Sequence, residues 1–121
     1  MTVGDGFKLL DIRTWHDAGH TVLEVAGELD VYTAPRLREQ LVNQARAGRH
    51  RLVVDLAELV FIDSSGLGVL VGGLKRARAA DGTVTITGAN AHILDVLRIT
   101  GLVRVFPVYG TVAEALSAAS Q

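Results

Sequence analysis

Apolar positions along the chain follow two spacings, one typical of strands and one typical of helices. Short β-rich runs, with or without alternation, predict strands at residues 7–15, 21–26, 51–56, 83–87 and 103–106. After the second, third, fourth and fifth of these runs, apolar residues recur every three or four positions, which predicts helices. The order β-β-α-β-α-β-α-β-α predicts an α/β domain with a mixed sheet, whose first two strands form a hairpin around a turn at residues 17–20.

The ends of the predicted helices carry residues typical of caps and stops. Pro35 in a first turn, and the spacing of a capping box between Thr111 and Glu114, strengthen two of these starts. The predicted N-terminal caps are Thr33, Asn90 and Thr111, and the predicted stops are Gly48, Gly82 and Gly101.

The segment at residues 59–74 organises the rest of the chain. An apolar run stops at Asp63, Ser64 and Ser65 follow, and helical spacing begins after Gly66. Asp and Ser cap helices because their side-chain oxygens accept first-turn N–H groups. The same helix end offers free N–H donors and the positive end of the dipole, so it would also tolerate a phosphoryl group on a first-turn serine. The local pattern leaves both interpretations open.

Three glycines inside this helix are unexpected. Gly68, Gly72 and Gly73 each cost about 1 kcal/mol of helix stability relative to alanine. Ser64, Gly68 and Gly72 are four residues apart and therefore form one stripe. This stripe permits close packing within the chain or a docking surface for another protein.

Composition removes several classes of function. The chain has 121 residues, of which 49% are hydrophobic, and 12 basic against 13 acidic residues give a net charge of −1. This balance, with only 5% aromatic residues, signals no nucleic-acid or membrane partner. There is no cysteine, which excludes disulfides and thiolate chemistry. Without a secretion signal in residues 1–7 or an apolar run of membrane-spanning length, we expect a cytoplasmic protein.

No catalytic or metal-binding motif is complete. Gly68 and Gly73 have the spacing of phosphate-loop glycines, but Leu74 and Lys75 stand where Lys and Ser or Thr are required. The nucleophile elbow Gly-x-Ser-x-Gly is missing around Ser64. The four histidines are scattered without metal-ligand spacing. We therefore predict no enzyme, no cofactor and no metal.

Carboxylates are arranged as a possible surface. Glu28 and Asp30 follow the second predicted strand, and Asp63 ends the run after the third. If these strands are neighbours, the three side chains cluster near Ser64. The alternative is that Asp30 and Asp63 are turn and cap residues without a partner.

Two segments together resemble the anti-anti-sigma factors, the stand-alone STAS-domain proteins of bacterial partner-switching pathways. They are FIDSSGLG at residues 61–68 and GELDVYTAP at residues 27–35. The similarity covers residues 21–119 of a domain that we expect to span residues 1–121. It implies a STAS-like α/β fold and a binding protein.

In that family the unphosphorylated protein captures an anti-sigma factor and frees a sigma factor. The resemblance implies that the anti-sigma factor is also an ATP-dependent serine kinase, and that a PP2C-type phosphatase reverses the modification. The phosphorylated serine maps to Ser64, with Ser65 as the fallback. The predicted partner-binding residues are Asp30, Asp63, Ser64, Ser65, Gly66, Gly68 and Gly72.

Phosphorylation is expected to add a charge of about −1.5 to −2 at pH 7 beside Asp63. We expect first-turn N–H groups to hold the phosphate, the fold to survive, and repulsion at the interface to weaken binding. A second class of function is a STAS scaffold, or a nucleotide-binding module, that phosphorylation does not regulate.

Overall fold

A six-stranded sheet and four α-helices make up residues 9–119, the part of the chain that the computed structural model describes. The predicted strand at residues 7–15 thus begins outside the described residues. The strands are β1 (Leu10–Asp17), β2 (His20–Leu29), β3 (Arg51–Asp55), β4 (Leu59–Ile62), β5 (Thr83–Thr87) and β6 (Val108–Tyr109). The helices are α1 (Ala34–Arg46), α2 (Ser64–Ala79), α3 (Ala91–Ile99) and α4 (Val112–Ala119).

The sheet is mixed, as predicted. Its strands follow the order β1-β2-β3-β5-β6, and β4 pairs with the end of β2. β1 and β2 are antiparallel and all other pairs are parallel. Ala18 and Gly19 both have positive φ, 52° and 79°, as the tightest hairpin turns require. The predicted hairpin is confirmed.

Alternation along the strands divides the interior into two cores. Leu23 and Val25 of β2 point into the main core, which also contains buried residues of α1, α2 and α3. Val22 points the other way, into a small cluster with Val53 and Ala115 of α4. Three helices therefore cover one face of the sheet, and α4 packs on the opposite face.

The pairing of β2 with β4 positions the functional end of the molecule. β2 extends past the predicted end at residue 26, and its register shifts at Gly27, whose φ is 108°. A Cβ on Gly27 would collide with the carbonyl oxygen of Leu9. Leu29 then pairs with Ile62, the last residue of β4. The predicted order omitted β4, because this four-residue strand continues the apolar run after β3 without a clear break.

The predicted strand at residues 103–106 is wrong. Leu102–Arg104 is a single 3₁₀ turn after Gly101, and the strand is Val108–Tyr109. The N–H groups of Val105 and Phe106 both bind the carbonyl of Leu102, so they cannot join a strand ladder. The β-rich run is instead a turn that places Phe106, only 2% exposed, in the main core.

Most predicted helix ends are confirmed, and two need correction. Asn90 caps α3, and the hydroxyl of Thr111 accepts the N–H of Glu114 in α4. Gly48 and Gly101 adopt positive φ at the ends of α1 and α3. The two corrected predictions concern Thr33 and Gly82.

Thr33 precedes α1 but its side chain does not cap that helix, since its hydroxyl donates to the carbonyl of Glu28 in β2 instead. After α2, the residue with positive φ is Asp81 and not Gly82. Gly82 is needed for a different reason, because a Cβ there would collide with the carbonyl of His50.

Candidate functional site

Helix α2 begins at the end of β4, and Asp63 caps it. Oδ1 of Asp63 accepts the N–H groups of Ser65 at 2.8 Å and Gly66 at 3.2 Å. The backbone of Asp63 is extended, as an N-cap residue requires. The capping role predicted for Asp63 is confirmed, while Ser64 and Ser65 lie inside the helix.

The two serines occupy different surroundings. Ser64 is exposed, and its hydroxyl makes no hydrogen bond with any residue in the range 9–119. Ser65 is half-buried and faces a groove between α1 and α2 that Arg38 also lines. Of the two hydroxyls, that of Ser64 is therefore the more accessible to another protein.

Asp30 holds the loop between β2 and α1. Its Oδ1 accepts the backbone N–H groups of Tyr32 at 2.9 Å and Thr33 at 3.0 Å. The hydroxyl of Thr33 donates to the carbonyl of Glu28 at 2.8 Å and accepts the N–H of Asp30 at 2.9 Å. The turn role predicted for Asp30 is confirmed, and these bonds give the loop a defined conformation.

Strand pairing brings the Asp30 loop to the start of α2. Leu29 and Ile62 are paired, and the N–H of Asp63 donates to the carbonyl of Leu29 at 3.1 Å. Asp30 and Asp63 each follow one of these paired residues, so they lie at the same edge of the sheet, beside Ser64. Glu28 lies further back along β2, paired with Phe61. The predicted neighbourhood of the two aspartates is confirmed.

Large apolar side chains are exposed in the Asp30 loop and in the neighbouring strand β4, which sequence reasoning missed. Val31 and Tyr32 of the Asp30 loop are 58% and 86% exposed, and Val60 and Phe61 of β4 are 66% and 41% exposed. We call these four residues the apolar rim. Exposed apolar groups gathered in one region are typical of protein interfaces. A usable signal was the Val-Tyr pair inside a loop, where no periodicity requires apolar residues.

The glycines of α2 separate into two pairs. A Cβ on Gly66 would lie 2.7 Å from Cγ of Leu29, and one on Gly73 would lie 3.0 Å from Cδ1 of Leu41. A Cβ on Gly68 would meet no atom within 4 Å, and one on Gly72 would approach only the guanidinium of Arg76. We therefore correct the role of Gly66 from partner contact to internal packing.

Neither a cluster of metal-ligating side chains nor a membrane-spanning helix occurs among the described residues. Within the range 9–119, no three His, Cys, Asp or Glu side chains are grouped so that they could hold a metal ion. No helix in that range combines the length and apolar character that crossing a membrane requires.

Comparison with known proteins shows which family model and which proteins this chain is similar to. The family model for the STAS domain matches residues 11–115. This range includes residues 11–20, for which the sequence motifs gave no resemblance. The anti-sigma-B factor antagonist of Staphylococcus epidermidis is 44% identical over 94 residues, which are 77% of this chain and 86% of that protein.

Two solved structures share the fold. An anti-sigma factor antagonist from Mycobacterium paratuberculosis superposes with a TM-score of 0.85 at 27% identity, covering 93% of this chain and 95% of that chain. The phosphorylated form of the Bacillus cell fate determinant SpoIIAA superposes with a TM-score of 0.73 at 21% identity, covering 90% and 99%.

Proposed function

The chain belongs to the STAS-domain family of anti-sigma factor antagonists, and we propose that its unphosphorylated form binds an anti-sigma factor and thereby releases a sigma factor. Proteins of this family are binding regulators rather than enzymes. We further propose that phosphorylation of Ser64 abolishes the binding. A serine kinase activity of the anti-sigma factor adds the phosphoryl group, and a PP2C-type phosphatase removes it.

The observation that carries this proposal is the position of Ser64. Its hydroxyl is exposed at the start of α2 and makes no hydrogen bond within residues 9–119. Asp63, and not Ser64, caps the helix. Because stability does not depend on a bond from this hydroxyl, the serine is available for modification. Transfer from ATP would join Oγ to the γ-phosphorus, break the bond to ADP and release the hydroxyl proton.

The surroundings of Ser64 supply the partner-binding surface. The Asp30 loop carries half of the apolar rim, the neighbouring strand β4 carries the other half, and Gly68 continues the surface along α2. Apolar side chains at the centre of an interface contribute affinity, while charged groups around them select the partner. We assign partner contact to Asp30, Asp63, Ser64, Ser65, Gly68 and Gly72.

A phosphate on Ser64 acts mainly on the interface in this proposal. It adds a charge of about −1.5 to −2 at pH 7 next to the carboxylate of Asp63. The expectation that first-turn N–H groups hold the phosphate needs correction, because the carboxylate of Asp63 already accepts the N–H groups of Ser65 and Gly66. The new charge therefore faces the partner. A phosphorylated form of SpoIIAA has this fold, which supports survival of the fold.

Mass spectrometry of the protein from its native cells tests the switch. We expect an intact mass carrying one phosphoryl group that phosphatase treatment removes, with fragmentation across residues 59–75 placing it on Ser64. Modification of Ser65 would keep the mechanism and move the site. The Ser64→Ala variant, expressed in the same cells, is the control and should stay unmodified.

Absence of any phosphorylated form, both in cells and after incubation with the purified anti-sigma factor and ATP, would contradict phosphorylation control. An unregulated STAS scaffold would then be the function. The anti-sigma factor for this assay is the one recovered on the immobilised chain from the same bacterium and then purified. Failure to recover any anti-sigma factor would contradict the antagonist function itself.

A further inference from the structure

A groove on the outer side of the helical layer runs between α1 and α2 and begins beside the phosphorylation site that we propose. It has a volume of about 260 Å³ and is lined by Arg38, Ser65, Gly68, Val69, Gly72 and Arg76. Two of these six residues are cationic and none is acidic. The groove lining therefore carries positive charge and no acidic side chain.

The glycines of this groove have no packing reason to be glycine. A Cβ on Gly68 would stand in open space, and one on Gly72 would lie 3.6 Å from the nearest Arg76 nitrogen, which is ordinary contact. Each of these residues nevertheless lowers helix stability by about 1 kcal/mol relative to alanine. A residue that lowers helix stability, and that no packing contact within the chain requires, is typical of a functional surface.

Arg76 supplies an independent observation. Its Nε and Nη2 atoms are buried, and neither has a hydrogen-bond partner among the described residues. Buried guanidinium donors without a partner are unfavourable, because the protein does not replace the hydrogen bonds to water that they lose. The natural counterpart of a guanidinium, with its planar fork of N–H donors, is a carboxylate, which can accept two parallel N–H bonds once the side chain turns outward from α2.

We propose that this groove binds an acidic segment of the anti-sigma factor, whose Asp or Glu carboxylate pairs with Arg76. Two arguments select this occupant. Gly68 and Gly72 have no side chains, so a second backbone can approach α2 closely. The cationic lining of the groove complements an acidic side chain. The inference rests on the proposed function, since the segment belongs to the same partner that contacts Ser64. It adds a second contact, several turns along α2 from the switch.

Binding of the purified anti-sigma factor to four variants tests this contact. Gly68→Ala should raise the melting temperature by roughly 4 °C and still weaken binding about tenfold, because its methyl group would narrow the groove. Arg76→Gln should also weaken binding about tenfold, and Arg76→Lys less, since lysine keeps the charge without the fork. Lys75→Gln is the matched control: this residue is exposed on α2 outside the groove, so binding should be unchanged.

Stability needs its own control, since a more rigid helix could alter binding by itself. Asn43→Ala adds helix propensity on the exposed surface of α1, outside the groove, and should leave binding unchanged. If Gly68→Ala and Arg76→Gln bind the anti-sigma factor as tightly as the unaltered chain, the groove contact is wrong. If they bind normally while Ser64→Asp loses binding, the proposed function stands without the groove. If neither the unaltered chain nor any variant binds the anti-sigma factor, the proposed antagonist function is wrong.

Cross-linking identifies the chemistry of the occupant. The photoreactive substitution Arg38→p-benzoylphenylalanine, in the groove lining, should capture a peptide of the anti-sigma factor that contains Asp or Glu. Capture of a peptide without an acidic residue would contradict the proposal. The proposal would also be contradicted if the chain alone bound inorganic phosphate or ATP and Arg76→Gln abolished that binding. The groove would then be a phosphate site.

Discussion

The two sides of helix α2 use glycine for opposite reasons. On the inner side, Gly66 and Gly73 lie against Leu29 and Leu41, where a methyl group would be too close to its neighbours. On the outer side, Gly68 faces open space and Gly72 meets only the tip of a long side chain. The inner pair therefore stabilises the fold, whereas the outer pair lowers helix stability and leaves a smooth surface.

This difference shows how a structural requirement can be separated from a functional one. Both pairs look alike in the sequence, since each interrupts a helical pattern at a similar cost in propensity. Only the distance to neighbouring atoms distinguishes them. The side of the helix that tolerates a larger residue without loss of stability is the side on which selection for binding can act.

The largest effect on the stability of the fold is expected on the inner side. Gly66→Ala should lower the free energy of unfolding by about 2 kcal/mol, as overpacking of a core does, because its Cβ would lie 2.7 Å from Leu29 and 3.0 Å from Ile62. Urea denaturation measures the change. Gly68→Ala is the matched control and should raise the same free energy by about 1 kcal/mol. Equal effects of the two substitutions would remove the distinction between the sides.

A smaller effect separates the cap from the exposed serine. Asp63→Ala should lower the free energy of unfolding by about 1 kcal/mol, because two first-turn N–H groups lose their acceptor. Ser64→Ala should change it by less than about 0.5 kcal/mol, as exposed positions do. Urea denaturation of the two variants side by side checks both values. A larger loss for Ser64→Ala would give this serine a structural role and weaken its assignment as a free switch.

Much of the fold follows from the sequence, because local rules and tertiary structure agree there. The hairpin turn, the caps at Asp63 and Asn90, and the stops at Gly48 and Gly101 depend on short-range chemistry and are confirmed. The position of Ser64 at a helix start follows from the same rules. The resemblance to STAS-domain proteins added the biological meaning of that position.

The remaining features depend on contacts that a sequence does not reveal. The short strand β4 exists because its partner β2 continues past the shift at Gly27. The run at residues 103–106 has the composition of a strand, but its backbone N–H groups bond within a turn. Likewise, the exposure of Tyr32 and the unpartnered nitrogens of Arg76 are determined by what packs nearby.

The central claim is that a charge at Ser64 controls partner binding at the outer surface of α2. Its most direct test is the dissociation constant of the purified anti-sigma factor for the chain phosphorylated at Ser64, compared with the unphosphorylated chain. We predict an affinity more than about 100-fold lower, which corresponds to roughly 3 kcal/mol at the interface. Equal affinity for the two forms would contradict the account.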